Sequence, residues 1–401
     1  MSITGTATRT LTKTGNWFII TTAAATIWNA TTTTGLTFTD SGSTTISNAS
    51  VSTRTWVGGT LKYGTLTYTV AGSTGQLTLS GACYFDTLNF SDATNARTLA
   101  LTSSTTYTVK TFNVIGTAGK LMTVNAVTAG TAAFLDILDA PPTLDYLSVK
   151  DIYAGIPYKF YAGANSTDVS GNTNITFTAK PGTTGIYVNR YSSISSATSS
   201  AVVIFPFSLT PTVGDVLVAF WHHNGNAGTV TPPSGWTAID NINLSTTSYL
   251  KAYYKISDGT ENSFTFTSTS SPASTMIYVY SLDGFTVATT LDNTDKNSGT
   301  GVASLVTSGT PTSNTGNPAF AIAGFAAANT MGSSVSFTNS FQEGRGSTQQ
   351  TMLRPVMKPL TSNAAVSTTY AWTTSRDATT ILVVFKDALS GHTLSMLGVG
   401  S

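Results

Sequence analysis

Leucines recur along the first half of this chain at a fixed interval. Leu66 in GTLTYT and Leu88 in DTLNFS are 22 residues apart, and Phe112 in KTFNVI follows 24 later. A second set keeps the same period: Leu77 in QLTLS, Leu99 in RTLALTS and Leu121 in KLMTVNA stand 22 and 22 apart, with Leu79 and Leu101 in one register. Between these residues apolar side chains alternate with Thr, Ser and Asn, the pattern of a strand with one buried face. A unit of this length cannot bury its own apolar face, and stacked copies bury a continuous column. The spacing therefore predicts a right-handed parallel β-helix of about 22 residues per turn, in which Leu66, Leu88 and Phe112 stack, as do Leu77, Leu99 and Leu121. The competing arrangement is an up-and-down antiparallel β-domain.

Composition supports an all-β chain and narrows its partners. Close to one residue in five is threonine, whose branched Cβ suits a pleated, half-buried surface, and 35 glycines supply tight turns. Hydrophobic residues make up 40% of the 401 residues, enough for a core. Charged residues make up 9%, against about 25% in an ordinary globular domain. The net charge of +1 is scattered, so nucleic acid is not an expected partner. No long apolar run or basic-headed leader is visible, so membrane insertion and a signal peptide are not expected. The single cysteine, Cys83, excludes an internal disulfide and reads as a small core residue. Such a chain looks made in a cytoplasm, yet its hydroxyl-rich character suits an extracellular object.

Past the leucine repeat, residues 144–177 read LDYLSVKDIYAGIPYKFYAGANSTDVSGNTNITF. Tyr161-Ala162-Gly163, Asn165-Ser166 and Ser170-Gly171-Asn172-Thr173 resemble the closing module of parallel β-helix proteins of tailed bacteriophages and bacterial surfaces. Asn174-Ile175 stands where that module usually has Gly-Trp. The resemblance implies a capped solenoid end and says little about activity.

Residues 178–185, TAKPGTTG, read as a linker, and the period vanishes beyond it. Eight strand-like runs separated by turn residues then predict a β-sandwich. Gly214-Asp215-Val216-Leu217-Val218-Ala219, Pro233-Ser234-Gly235-Trp236, Tyr253-Tyr254-Lys255, Tyr280 and Gly284 resemble a jelly-roll module of phage and bacterial surface proteins. The expected organisation is an N-terminal anchor or cap (1–30), a β-helix (31–180), a jelly-roll-like sandwich (186–388) and a C-terminal tail (389–401).

Residues able to carry chemistry are few. His222 and His223 are adjacent in a strand and so face opposite ways, and His392 lies in the tail, which argues against a zinc site. Glu261 and Glu343, the two glutamates, sit in turn-like stretches. Asp136, Asp139, Asp145 and Asp151 recur near the β-helix end and would line a groove in a polysaccharide-cleaving spike, or else serve turns. Asp292, Asn293, Asp295 and Asn297 offer oxygens for a Ca²⁺ loop without EF-hand spacing, or form a plain polar loop. Trp221, Trp236 and Trp372 either stack on sugars or fill the sandwich core. No Ser-His-Asp set, phosphate loop or dinucleotide fingerprint is visible, so neither a catalytic residue nor a cofactor is expected.

These features, with the resemblances, imply a bacteriophage virion component: a fibre, spike or decoration protein, homotrimeric, contacting other virion proteins and a host surface glycan. The alternatives are a bacterial adhesin or carbohydrate-binding protein, and a depolymerising tailspike.

Overall fold

The computed structural model describes residues 2–20, 24–47, 52–69, 75–91, 94–181, 185–196, 199–224, 229–244, 248–269, 274–285, 290–309, 319–328, 331, 336–344, 352–360 and 365–387. These residues are almost entirely β, with one short 3₁₀ turn at Pro206–Ser208. Among them, no helix is long and apolar enough to cross a membrane. The chain divides into two compact units: one holds residues 1–190, 206–209 and 344–346, the other the remainder.

The first unit is a parallel β-solenoid. Its first sheet has seven strands, Ala25–Asn29, Thr53–Val57, Gln76–Ser80, Thr98–Leu101, Met122–Ala126, Leu147–Lys150 and Thr167–Ser170, each hydrogen-bonded to the next. The second also has seven: Asn16–Ile20, Ser43–Ser47, Lys62–Thr69, Cys83–Ser91, Thr106–Ile115, Ala133–Ile137 and Ile152–Ala154. Because strands of the two sheets alternate in the chain, each coil contributes one strand to each. The sheets begin at Asn16, inside the segment read as an anchor or cap.

The repeat maps onto coil-to-coil pairing. Leu66 is in register with Leu88, and Leu88 with Phe112. All three are no more than 1% exposed. In the first sheet Leu77 pairs with Leu99, and Leu79 with Leu101. The expected third member fails: Leu99 pairs with Val124, not Leu121. Leu121 precedes the strand and is half-buried, whereas Val124 is fully buried. The reason is turn length. The turn Thr102–Thr105 replaces the two residues Gly81 and Ala82 of the preceding coil, and the small hairpin bridged by Thr117 and Lys120 adds another, so the column advances by 25 rather than 22.

At the N-terminal end the column becomes aromatic. The Trp28 and Trp56 rings stack with centroids 5.0 Å apart, and Tyr63 meets both edge-on. Trp28 Nε1 donates to Tyr63 Oη (2.8 Å), and Tyr63 Oη donates to the Gly58 carbonyl (2.7 Å). The polar atoms of Trp28 and Tyr63 are thus satisfied by one another and by the backbone. Cys83 lies in this core, and burial pushes its thiol pKa up.

The second unit is an antiparallel sandwich of three sheets. A middle sheet holds Val216–Asn224 between Ser248–Ile256 and Ser274–Asp283, with Thr237–Leu244 beyond. On one face it packs against an outer sheet of Ser200–Ile204, Ser263–Ser268 and Val230–Thr231, burying Val203, Phe205, Phe264 and Phe266 on Leu217, Ala219 and Trp221. Its other face meets a long sheet built on Thr290–Gly309, Val366–Lys386, Ala319–Ala327 and Leu353–Leu360. Coverage on both faces explains why VLVAFWHH is continuously buried rather than alternating. The far side of the long sheet carries a second core around Phe325, Tyr370 and Trp372.

Candidate functional site

Two features of the solenoid meet solvent in an organised way: its outward face and its closing coil. Inward side chains occupy every second position, so the intervening positions align from coil to coil on the outside. In the second sheet one outward row runs Asn16, Ser43, Thr65, Thr87, Thr111, and the next runs Phe18, Thr45, Thr67, Asn89, Asn113. Parallel strands stand about 4.8 Å apart, which brings equivalent side chains within bonding reach. Ser43 Oγ donates to Asn16 Oδ1 (2.7 Å), Asn89 Nδ2 to Thr67 Oγ1 (3.2 Å), and Asn113 Nδ2 to Asn89 Oδ1 (2.9 Å). Thr111 Oγ1 donates to Asp139 Oδ2 at 2.7 Å, continuing the first row. The face is a ladder of hydroxyls and amides that ends on the Asp139 carboxylate and is apolar at its N-terminal end, where Phe18 and Ile20 are 70% and 77% exposed.

The closing coil is built by the residues that carry the resemblance to capped β-helices. Asn165 donates from its amide (2.9 Å) and from Nδ2 (2.7 Å) to the Asp145 carboxylate. Ser166 Oγ donates to the Ala162 carbonyl (2.6 Å) and accepts the Leu147 amide (2.8 Å). Asn172 Nδ2 donates to the Val149 carbonyl (2.8 Å) and to Asp168 Oδ1 (2.7 Å), while its Oδ1 accepts the Ile152 amide (3.0 Å). Gly163 and Gly171 adopt φ of 95° and 68°; a Cβ at Gly163 would run into the Leu144 carbonyl, and one at Gly171 into the Asp151 carboxylate. Asn174 takes φ of 60° and Ile175 packs against the core.

The acids near this end are divided among a strand and two corners. Asp136 lies in the strand Ala133–Ile137, and Asp139 ends the hydroxyl ladder. Asp145 takes three donors: the Tyr146 amide and both Asn165 groups. Its slight burial works to raise its pKa, but these donors outweigh that and hold it below the usual carboxylate range. Asp151, at the opposite corner, accepts the Gly130 amide at 2.9 Å. Asp139, Asp145 and Asp151 each serve a turn or a row.

In the second unit the structure decides between the two readings of the tryptophans and replaces both readings of the 291–301 stretch. Trp221 and Trp372 are buried at 2% and 5% and belong to the cores, so neither offers a ring to a sugar. Trp236 is half-buried, edge-on to Phe264 and Phe266. Strand coverage on both faces, which alternation cannot reveal, accounts for the burial. The polar stretch 291–301 is not a Ca²⁺ loop but part of the strand Thr290–Gly309. Asp292 pairs with Lys386 (2.6 Å), and Asp295 accepts Thr307 Oγ1 (3.4 Å). Asn293 is in register with Val384, and Asn297 Nδ2 donates to the Val306 carbonyl (2.9 Å). Glu261 pairs with Lys255 (2.5 Å) and Glu343 with Arg354 (3.2 Å). His222 and His223 are both fully buried, and His392 lies outside the described residues. Among the described residues, no group of three or more His, Cys, Asp or Glu side chains is placed to hold a metal ion.

No family model and no curated protein matches the chain. Among solved structures it is similar to BuGH86 in complex with neoagarooctaose, crystallised as wild type and as a variant. Each aligns at 11% identity with a TM-score of 0.17, over 50% of this chain and 34% of the other. The chain thus spans about a third of the length of BuGH86. A TM-score of 0.17 carries no argument about function.

Proposed function

We propose that the chain is a structural component of a bacteriophage particle, a fibre, spike or decoration protein that is exposed on the virion and contacts the host surface. The observation that carries this reading is the closing coil. Residues 161–173 resemble the end module of β-helices of tailed phages and bacterial surface proteins, and Asn165, Ser166 and Asn172 each bond to the preceding coil. The rest of the solenoid supports the reading, because its outward side chains bond to one another in rows, and Asp139, Asp145 and Asp151 are each held in a row or at a turn. A chain with 9% charged residues also leaves much uncharged surface, which suits burial in a symmetric assembly. In this reading the protein is a homotrimer, made in the host cytoplasm and attached to capsid or tail proteins, and a host glycan is its external ligand. It has no catalytic residue and no cofactor.

The test is a comparison of particles made with and without the chain. Mass spectrometry of gradient-purified particles is expected to find the chain banding with the virion, and particles lacking it are expected to adsorb more weakly to host cells. Release of reducing sugar from host polysaccharide by the purified chain would favour the tailspike alternative. Recovery of the chain in the bacterial envelope without particles would favour the adhesin.

A further inference from the structure

We propose that the sandwich contains an acid-operated clasp, in which protonation of His222 releases the long sheet from the middle sheet. His222 lies in the middle strand Val216–Asn224, fully buried, on the face that meets the long sheet. Its neighbours in register are Leu250 and Met276, both fully buried. His222 Nε2 stands 3.3 Å from Ser248 Oγ in the same sheet. Ser248 Oγ in turn stands 3.2 Å from Thr379 Oγ1 in the strand Val366–Lys386 of the long sheet. A polar chain of three side chains therefore crosses the interface at a place where its neighbours are apolar or aromatic, with Gly324 against Phe220 and Tyr254 against Phe385.

The proton count shows why the chain responds to acid. The neutral tautomer that leaves no buried N–H without an acceptor carries its proton on Nε2, so Nε2–H donates to Ser248 Oγ and Ser248 donates to Thr379 Oγ1. Nδ1 then keeps a bare lone pair; it is buried and has no hydrogen-bonding partner among the described residues. A second proton must go to Nδ1, where it creates a buried cation whose N–H lacks an acceptor.

The surrounding groups do not supply a counter-charge. On the same strand, His223 points to the other face and stacks on Trp221 at 5.1 Å. Tyr254, Tyr278 and Tyr280 face the long sheet from the neighbouring strands. Asp240, from Thr237–Leu244, is paired with Lys296 of the long sheet at 2.7 Å. Asp377, two residues before Thr379, accepts the Gly301 amide at 3.0 Å. Glu343 and Arg354 pair with each other and act on Tyr278. Burial first, then repulsion from His223, lowers the His222 pKa from 6.5 to about 3. A folded-state pKa below the unfolded one means that the unfolded chain takes up the proton first. The associated stability is complete above about 6.5 and is lost as the pH falls towards about 3.

The experiment is amide hydrogen exchange on the full chain between pH 7 and pH 4, corrected for intrinsic rates, with wild type and His222→Gln. In the wild type, protection of Ala319–Ala327 and Val366–Lys386 is expected to fall by about tenfold or more, while the solenoid strands keep theirs. In His222→Gln, which keeps a donor and does not titrate, the fall is expected to stay within about twofold. Equal loss in both proteins would overturn the clasp, as would uniform loss along the whole chain. If the variant does not fold, NMR titration of the wild-type His222 imidazole decides. The clasp requires that His222 gain its proton together with the loss of protection; protonation with the sheets still protected would overturn it.

Discussion

Leu99 is fully buried between Leu77 and Val124, so a charge at that position has neither water nor a counter-ion. Leu99→Ala is expected to cost about 2–5 kcal/mol, and Leu99→Asp more, read by urea denaturation of the full chain. The pair Leu121 and Val124 makes a sharper test. Both are apolar, but only Val124 occupies the column, so Val124→Ala is expected to lower stability clearly more than Leu121→Ala. Equal losses would contradict the register described here. The sequence could not distinguish these two residues, because a constant period assigns the column to Leu121 and a lengthened turn leaves no apolar signature. The tryptophans were opaque for a related reason: Trp221 and Trp372 sit in strand-like runs, and period two says which residues share a face but not which faces are covered.

At the scale of elements, the closing coil depends on side chains that substitute for the next turn of solenoid. Asn172 bonds to Val149, Ile152 and Asp168 at once. Asn172→Ala is expected to cost about 1–3 kcal/mol, because it leaves backbone groups of the last coil without partners. Exchange of the amides in Leu147–Lys150 should speed up, while that in Gln76–Ser80 should not. Gly171→Ala is expected to act on the same region through backbone strain and the clash with Asp151. In the sequence this coil was visible only through a resemblance; the bonds of Asn165, Ser166 and Asn172 to the preceding coil carry no periodic signal. The stretch 291–301 was not legible as a strand, since Asn, Asp and Gly also suit turns; its pairing with Val366–Lys386, more than 60 residues away, overrides that local preference.

At the scale of the whole molecule, each unit has its own buried core. A fragment beginning at Gly185 is expected to stay soluble and melt in one cooperative step, followed by circular dichroism; insolubility under all conditions would indicate a core shared between the halves. The change from solenoid to sandwich was legible as the loss of the 22-residue period, whereas three sheets in place of two were not, because sequence alternation carries no information on how many layers stack. The full chain is expected to sediment at three times its 41.7 kDa mass. The most direct test of the structural role is electron cryomicroscopy of intact particles labelled with an antibody fragment against the sandwich. The account predicts label at regular projecting sites, grouped in threes. Unlabelled particles, with the chain left free in the lysate, would contradict it.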